Sequence, residues 1–517
     1  MPAWWLLERN LARFASRLAL RELDHDTLAE GRALTYEELH RAAGGAATGL
    51  RAQGVKPGDR VGFCLPNSAE LVIGYYATWL AGGIVVPANP AGRTGELEEH
   101  LGDARVSVVV APAGSPAQAA AGRLGLPFLD VAAFRGMEAL PPAAPVPCTP
   151  EKDVAVLLYT GGTTGTPKGA MLTHRNIVVN TLQFAEWYAF APGEETSLCA
   201  LPMFHSGGMS GVMNVPIYAG ATLLVLGRFN AGAVARAVGR YRVTRLFGVP
   251  TMFIALLNHP EGRRADYSSL RACRTNAAPL PPTVKAAFDG LVGREVLVEG
   301  YGLTETSPLT HANPIRRARA GSIGVPLPDT DARIADLQTG AEVAPGQPGE
   351  LLIRGPQVML GYWDRPAETA EAITDGWLRT GDVAQMDGEG YFAIVDRKKD
   401  MINTAGFKVW PREVEEVIYS HEAVKLAAVF GVEDAYRGEA VKACIVLRDG
   451  YTGRVAAEDI VEFCKRRLTT YKVPREVEFR DSLPVSGTGK MLRRALREER
   501  QAPPGTRDVE PARAPAG

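Results

Sequence analysis

The sequence of 517 residues predicts an α/β protein in which doubly wound parallel sheets precede a small β-rich unit and a compact α+β domain. Apolar strand patterns alternate with helical patterns through roughly the first 320 residues, which is typical of parallel sheets. Short strands separated by Gly, Pro and Asp turns follow, and a mixed pattern ends the chain. Hydrophobic residues make up 46% of the chain and charged residues 22%, so the chain can bury several cores.

The first part of the chain opens with helical spacing from Leu6 to Phe14. A second helix is predicted to begin after Thr35, because a threonine N-cap with Glu38 three positions later forms a capping box. Short apolar runs between the helical segments predict four buried strands: Val61–Leu65, Ile84–Pro87, Val106–Ala111 and Val154–Leu158.

The alternation returns from Ser197 to Val298, and then the pattern changes at about Gly321. A charge run from Asp396 to Asp400 separates the β-rich unit from the last domain. The remaining predicted elements are the strands Ala221–Leu226, Gly349–Arg354, Tyr391–Val395, Val424–Gly431 and Val441–Leu447 and the helix Pro411–Ser420. Residues 500–517 lack apolar periodicity and are predicted to be a disordered tail.

The bulk charge argues against a nucleic-acid or acidic-membrane partner, because the net charge is −1 and the pI is near 6.7. The six cysteines are scattered without a C-x-x-C pair, which predicts reduced thiols in a reducing compartment. No apolar run has the length of a transmembrane helix. These features predict a cytoplasmic protein, with peripheral membrane association and a monomeric or homodimeric state left open.

The most informative string runs from Tyr159 to Gly169 and combines four glycines, four threonines and Lys168 after an apolar strand. Glycine lets the backbone approach a ligand closely, and hydroxyls, freed N–H groups and a lysine surround an anion. The string is not the common P-loop, which has glycine directly before Lys-Ser/Thr. The alternative is a flexible Gly/Thr loop. The predicted phosphate-binding residues are Thr160, Gly161, Gly162, Thr163, Thr164, Gly165 and Lys168.

A second string, Gly300 to Thr306, places an aromatic ring between two glycines and follows it with a hydroxyl and a carboxylate. The Tyr301 face can stack on a purine beside Gly302, and Thr304 can donate to a phosphate. Glu305 can hold Mg²⁺, which prefers one or two protein carboxylates together with phosphate oxygens. The alternative is a strand-to-loop turn with an exposed glutamate.

Weaker signals lie elsewhere in the chain. Asp382, in a Thr-Gly-Asp turn, can accept the ribose hydroxyls of a nucleotide, and Arg397 can join it there. Lys490 stands on a Gly-rich loop and can act as a mobile point charge. His205 lies in a Pro-Met-Phe-His-Ser-Gly-Gly string. The alternative for the Thr-Gly-Asp segment is an ordinary β-turn, and the alternative for the Lys490 segment is a flexible surface loop. The alternative for His205 is a buried structural histidine.

These strings, in this order, resemble the adenylate-forming superfamily of acyl-CoA synthetases, peptide-synthetase adenylation domains and firefly-type luciferases. The likeness extends from the first helices to Arg494 and is greatest for bacterial medium- and long-chain fatty acyl-CoA ligases. It implies an adenine-cradling loop with Ala277, Ala278 and Pro279. It also implies a hinge at Lys399, a second-half loop with Gly406 and Lys408, and a catalytic lysine at Lys490. Asn276 departs from the pattern, because glycine is common at its position, and so do the neighbours of Lys490.

The resemblance also implies the domains and the reaction. An AMP-binding domain covers residues 1–397, with subdomains of roughly 1–190, 191–320 and 321–397, and a mobile C-terminal lid domain covers 398–499. A carboxylate attacks the α-phosphate of MgATP to give an acyl-adenylate and pyrophosphate, and the thiol of coenzyme A then displaces AMP. Lys490, Glu305, Thr304 and His205 would be catalytic, with Mg²⁺ on Glu305 and Thr163 as a second candidate ligand.

Two alternatives to this ligase stay open. One is an adenylation enzyme that loads a carrier protein, and the other is a nucleotide-binding module without catalysis. The presence of Glu305, Asp382 and Lys490 disfavours the second.

The acid itself is predicted from the segment after His205, which the resemblance places at the acyl pocket. Residues Ser206 to Ser210 are small and uncharged, and Gly300 stands where malonate-type enzymes of the superfamily have an arginine. A second carboxylate would need a buried cation. The sequence therefore predicts an apolar monocarboxylic acid, with medium- or long-chain fatty acids first and aryl or cinnamate-type acids as the alternative.

Overall fold

The computed structural model describes residues 1–160, 167–434, 436–484 and 493–501. The chain divides into two compact units. The first comprises Met1–Thr380 and Ala384–Ile394, and the second comprises Gly381–Val383 and the chain from Val395 onward.

The first stretch of the chain alternates helices with short, buried strands. Its elements are α1 Trp5–Glu8, α2 Leu11–Phe14, β1 Leu18–Leu23, β2 Glu30–Thr35, α3 Tyr36–Ala52, β3 Arg60–Phe63, α4 Ala69–Leu80, β4 Ile84–Pro87, α5 Thr94–Asp103, β5 Val108–Val110, α6 Pro116–Leu124, β6 Phe128–Leu129, α7 Val131–Met137, β7 Val154–Thr160, β8 Lys168–Thr173 and α8 His174–Trp187. The Thr35 side chain accepts a hydrogen bond from Glu38 N and the Glu38 side chain returns one, so the predicted capping box is confirmed.

The second stretch continues the alternation and ends in antiparallel strands. Its elements are β9 Thr196–Cys199, a π-helix Gly208–Asn214, α9 Val215–Tyr218, β10 Thr222–Leu226, α10 Ala231–Arg240, β11 Arg245–Gly248, α11 Pro250–Asn258, α12 Pro260–Arg264, β12 Ala272–Thr275, α13 Pro282–Val292, β13 Leu297–Gly302, a 3₁₀ turn Thr304–Thr306, β14 Leu309–Ala312, a 3₁₀ turn Ile315–Arg317 and β15 Val325–Pro326.

A β-rich stretch follows. Its elements are β16 Asp331–Ala335, β17 Gly349–Arg354, β18 Gly361–Tyr362, α14 Pro366–Ala372, β19 Ile373–Thr374, β20 Trp377–Met386 and β21 Phe392–Arg397.

Two large sheets carry the first unit. One has the order β18-β8-β7-β4-β3-β5-β6, and its core strands β7, β4, β3, β5 and β6 run parallel. The other has the order β15-β14-β13-β12-β11-β9-β10-β1-β2, so the first two strands of the chain join a sheet built mainly from later strands. A smaller sheet has the order β16-β17-β20-β19, with β21 paired to β20. This is the predicted α/β class, with helices on doubly wound sheets and a β-rich part.

The second unit is a compact α+β structure. Its elements are a 3₁₀ turn Lys398–Asp400, β22 Ile402–Thr404, β23 Phe407–Val409, α15 Pro411–Tyr419, β24 Val424–Asp434, β25 Gly438–Leu447, α16 Ala457–Lys465, a 3₁₀ turn Thr470–Lys472, β26 Glu476–Phe479 and α17 Arg493–Gln501. Its sheet has the order β23-β22-β25-β24, with β26 parallel to β25. Ala435 and residues 485–492 and 502–517 lie outside the described residues, and with them most of the predicted tail.

Within the described ranges, none of the helices combines the length and the apolar character that crossing a membrane requires. All six cysteines are free thiols, which agrees with their scattered spacing. The domain boundary expected at Arg397 remains a prediction.

Candidate active site

The two ends of the predicted phosphate loop are held by a β-hairpin. Strand β7 ends at Thr160 and strand β8 begins at Lys168, and these two residues are register partners in the antiparallel pair. The loop residues themselves, Gly161, Gly162, Thr163, Thr164 and Gly165, lie outside the described residues. The structure therefore places Thr160 and Lys168 side by side at the mouth of the predicted loop.

Lys168 lies beside an aromatic ring that the sequence analysis did not single out. Its Nζ is 5.4 Å from the centroid of the Tyr362 ring, within the range of a cation–π interaction. The neighbour arises from sheet pairing, because β18 pairs with β8 and sets Tyr362 opposite Ala170. Asn176, in the first turn of α8, supports the approach of this segment by donating to the Pro356 and Val358 carbonyls at 2.7 and 2.9 Å.

Tyr362 also reaches the second motif. Its hydroxyl donates to Glu305 Oε1 at 2.8 Å, and Met359 N donates to the Glu305 carbonyl at 2.8 Å. Burial and then the neighbouring Glu305 raise the pKa of Tyr362 well above its ordinary value, so the phenol stays a neutral donor. Lys168, Tyr362 and Glu305 thus form a continuous row drawn from three distant segments.

The rest of the second motif is shaped by tight packing. Tyr301 is half-buried in β13 and its ring lies edge-on to His311 at 6.1 Å. A Cβ on Gly302 would lie 1.8 Å from the Pro308 carbonyl oxygen, so this glycine is required by the close approach of the backbone. Thr304 and Glu305 follow in a single 3₁₀ turn, and both are half-buried.

The predicted adenine loop follows β12 directly. Ala277 has a φ of 72°, a left-handed conformation that is strained for a residue with a Cβ. Strain of this kind concentrates at ligand-binding sites. Ala278 is half-buried and Pro279 is exposed, while the Oδ1 of the buried Asn276 side chain has no hydrogen-bond partner among the described residues.

The His205 segment is tied to the second motif. The Ser210 hydroxyl donates to the Ser307 carbonyl at 2.6 Å, which links the π-helix after His205 to the turn after Glu305. His205 is half-buried against Phe204, with ring centroids 4.4 Å apart. Desolvation lowers the pKa of His205 to about 4, so its imidazole is neutral at physiological pH.

The second unit contains its own group of predicted residues. Asp382 is buried and its Oδ1 is 3.2 Å from the Nε of half-buried Arg397, so the predicted ribose pair is in direct contact. Lys399 is exposed on the 3₁₀ turn Lys398–Asp400.

The loop after this turn is a tight hairpin between β22 and β23. Ala405 and Gly406 have φ values of 51° and 84°, which gives the turn two left-handed residues. Gly406 is exposed, and so is Lys408 on β23. Both therefore present their surfaces to solvent within this unit.

Lys490 lies outside the described residues, but the helix that follows it is anchored. Arg493 in α17 contacts Glu415 at 2.6 Å, and Asp396 and Asp400 at 3.4 Å each. Burial raises the pKa of Asp396, and Arg493 opposes that shift. The charge run from Asp396 to Asp400 is thus, in part, a buried ion-pair network.

Two residues near the candidate site were not singled out from the sequence. Tyr362 gave no usable signal, because it reaches Glu305 only through the pairing of β18 with β8. Arg274 did give one, since it is a single charge within the short apolar strand β12. It is buried, and its contacts are described below.

Comparisons with known proteins identify what the chain is similar to. The AMP-binding enzyme family profile matches residues 7–363, and the profile of the AMP-binding enzyme C-terminal domain matches residues 413–490. The chain is 40% identical to a long-chain-fatty-acid–CoA ligase of Bacillus subtilis, over 96% of this chain and 94% of the relative. It is 41% identical to a feruloyl-CoA synthase of an Amycolatopsis species, over 90% of this chain and 94% of the relative.

Solved structures show the same fold. ATP-bound MatB from Rhodopseudomonas palustris superposes with a TM-score of 0.88 at 31% identity, covering 96% of this chain and 99% of that one. The o-succinylbenzoate CoA synthetase of Bacillus subtilis, in complex with its acyl-adenylate intermediate, gives a TM-score of 0.85 at 29% identity, with coverages of 96% and 98%. The similarity therefore spans nearly the whole chain.

Proposed function

Because the chain belongs to the AMP-binding enzyme family, we propose that it joins a monocarboxylic acid to coenzyme A at the expense of ATP. The protein is an acid–thiol ligase that uses ATP and coenzyme A. The observation that carries the proposal is the row Lys168–Tyr362–Glu305, which joins the phosphate loop to a fixed carboxylate. In the first step the acid attacks the α-phosphate and pyrophosphate leaves, and in the second the thiol displaces AMP.

The chemical difficulty of the first step is the approach of two anions. Lys168 and the Thr/Gly loop, from Thr160 to Gly165, would hold the leaving pyrophosphate, and Thr304 would donate to a phosphate. The donor set fits Mg²⁺, because Glu305 offers an oxygen ligand that Tyr362 already orients. Bound there, with Thr163 as a second candidate ligand, Mg²⁺ would neutralise phosphate charge.

The nucleoside has two sets of proposed ligands, one for the base and one for the ribose. Tyr301 and the loop Ala277–Pro279 would contact the base, and Gly302 would keep the tight turn beside it. Asp382 would accept the ribose hydroxyls while Arg397 fixes the carboxylate. Such fixed geometry supplies much of the rate of a bimolecular reaction.

The remaining assignments rest on the family resemblance. Lys490 would stabilise charge in the first step, and neutral His205 would border the acyl group. The boundary near Arg397, the hinge at Lys399, and the loop with Gly406 and Lys408 would serve the second step, in which the thiol must reach the carbonyl. A reducing compartment such as the cytoplasm suits the free cysteines.

The acid is proposed to have an apolar body. The segment from Ser206 to Ser210 carries no charge, which suits an apolar chain, and each buried methylene contributes about 0.8 kcal/mol. A relative is named a long-chain-fatty-acid–CoA ligase, which supports a fatty acid first. Another is named a feruloyl-CoA synthase, which supports an aryl acid as the second candidate.

The test is pyrophosphate release and thioester formation with acetate, octanoate, palmitate, benzoate, cinnamate and malonate. Octanoate or palmitate is expected to give the highest kcat/KM with free coenzyme A, and Glu305→Gln is expected to abolish the release. Best activity with cinnamate would favour the aryl alternative. Faster transfer to a phosphopantetheinyl carrier protein than to coenzyme A would replace the proposed acceptor. Absence of pyrophosphate release with every acid would refute the ligase.

A further inference from the structure

Arg274 is a buried cation in the middle of the nine-stranded sheet. It lies on β12, between the parallel strands β11 and β13, and its relative exposure is 4%. Every residue of this strand is buried. A charge in such a position is costly unless it is paired or hydrogen-bonded.

The surroundings of the guanidinium are aromatic rather than acidic. Its central carbon is 3.5 Å from the centroid of the Phe184 ring and 3.8 Å from that of Phe247. Among the described residues, neither its Nε nor its two Nη atoms have a hydrogen-bond partner. The ring of Tyr188 is 5.3 Å away, and its buried hydroxyl is the polar group that interacts with the guanidinium, although the contact falls short of ordinary hydrogen-bond geometry. Burial lowers the pKa of Arg274 to about 9, so the group remains a cation at neutral pH.

The donor edge of Arg274 faces the segment that follows His205. A Cβ built on Gly211 would lie 3.1 Å from Arg274 Nη2 and 2.4 Å from Phe247 Cε1. Gly211 belongs to the π-helix Gly208–Asn214, and its neighbour Ser210 bonds to the turn after Glu305. Nη2 of Arg274 therefore lies against the segment that the proposed function assigns to the acyl group.

We propose that Arg274 is a specificity-determining residue that donates hydrogen bonds to an oxygen on the distal part of the acyl group. The substrate class is then a carboxylic acid with an apolar body and a hydroxyl, carbonyl or second carboxylate toward its far end. A plain methyl terminus would leave the cation unsatisfied, and sites built to bond an oxygen strongly reject analogues that lack it. This inference rests on the proposed function, and it revises the sequence-based expectation of a wholly apolar pocket.

The experiment compares matched acids that differ only in the distal oxygen. Octanoate is paired with 8-hydroxyoctanoate and with octanedioate, and cinnamate with 4-hydroxycinnamate; further chain lengths extend the series. The kcat/KM of pyrophosphate release is measured for wild type, Arg274→Met and Arg274→Lys. Arg294→Met is the matched control, because Arg294 bonds only backbone carbonyls of Ser268 and Leu270 in the described structure.

In the wild type at least one oxygenated acid is expected to exceed its parent by about tenfold or more, as a charged hydrogen bond allows. Arg274→Met should reverse that preference, Arg274→Lys should keep part of it, and Arg294→Met should leave it intact. A preference for the hydroxyl acid over the diacid would identify a neutral acceptor, and the opposite order an anionic one.

Two outcomes would overturn the inference. The wild type could prefer the plain acid in every pair, or Arg274→Met could leave the ratio of oxygenated to plain acid unchanged, with or without an equal loss for both members. The second result would mean that internal water satisfies the guanidinium. Calorimetric binding of the same acids in the presence of AMP gives the preference for the oxygenated acid over its parent without turnover. Selective binding without pyrophosphate release would therefore refute the proposed function alone. If Arg274→Met does not fold, the acid preferences of the wild type and of Arg274→Lys test the inference.

Discussion

Tyr362→Phe removes a single hydroxyl from the row that connects the phosphate loop to the second motif. The phenylalanine ring keeps the face that lies 5.4 Å from Lys168 Nζ, so the cation–π contact survives. What is lost is the 2.8 Å hydrogen bond to Glu305 Oε1. The variant therefore isolates the orientation of the carboxylate from the position of the lysine.

The size of the effect follows from that bond. A hydrogen bond to an ionised group contributes about 1.5–3 kcal/mol, and each 1.4 kcal/mol is about tenfold in an equilibrium constant. If Glu305 holds Mg²⁺ only in the orientation set by Tyr362, kcat/KM for adenylation should fall by about 10- to 100-fold. The half-saturating Mg²⁺ concentration should rise with it.

The assay is pyrophosphate release titrated with Mg²⁺ at fixed ATP. Tyr391→Phe is the matched control, because Tyr391 donates a 2.9 Å bond to the Arg317 carbonyl and has no part in the motifs. The control should lose a little stability and keep its kcat/KM and Mg²⁺ dependence. The reasoning would be refuted if Tyr362→Phe kept wild-type activity. It would also be refuted if the half-saturating Mg²⁺ concentration fell, because Glu305 would then bind the ion better without the hydrogen bond.

Three further predictions concern other parts of the chain. Lys490→Ala should lower adenylation on the order of 10²–10³-fold while sparing thioester formation from supplied acyl-adenylate; equal losses in separate half-reaction assays would contradict this. Lys399→Pro should keep pyrophosphate release but block thioester formation, because proline fixes φ at the proposed hinge; normal overall turnover would exclude the hinge. Burial lowers the pKa of His311 to about 3 and of His174 to about 4, against an ordinary value of 6.5. The unfolded chain then binds more protons below pH 6.5, so Tm should fall progressively as the pH decreases from there toward 4, and a flat Tm would contradict it.

Local patterns predicted the elements well because the relevant forces are local. The strand Ile84–Pro87 has the predicted bounds, and the Thr35 capping box forms as expected. The helical spacing from Leu6 to Phe14 breaks into two short helices, α1 and α2. Amphipathic spacing predicts which face is buried, but not whether each turn of a helix is completed.

The pairing of strands that are distant in the chain could not be predicted from the sequence. Nothing near Leu18 indicates that β1 will pair with β10, and nothing near Tyr362 indicates that it will contact Glu305. These contacts depend on sheet order, which alternating hydrophobicity does not encode. The motif residues could be identified from the residue types in each string and from the order of the strings along the chain. The groups that orient them, such as Tyr362, could be identified only from the structure.

Buried charges are where the structure adds most to the assignment of function. Arg245 is buried against Glu195 at 2.7 Å, and Arg493 contacts Glu415 at 2.6 Å, so both are explained by partners within the chain. Arg274 is equally buried, yet within the described residues it faces no carboxylate, and its neighbours are aromatic rings, the Tyr188 hydroxyl and a glycine. Because burying an unpaired guanidinium opposes folding, a partner from outside the chain is the simplest physical reason for it. The segment it faces follows His205, so that partner is expected to be part of the acid.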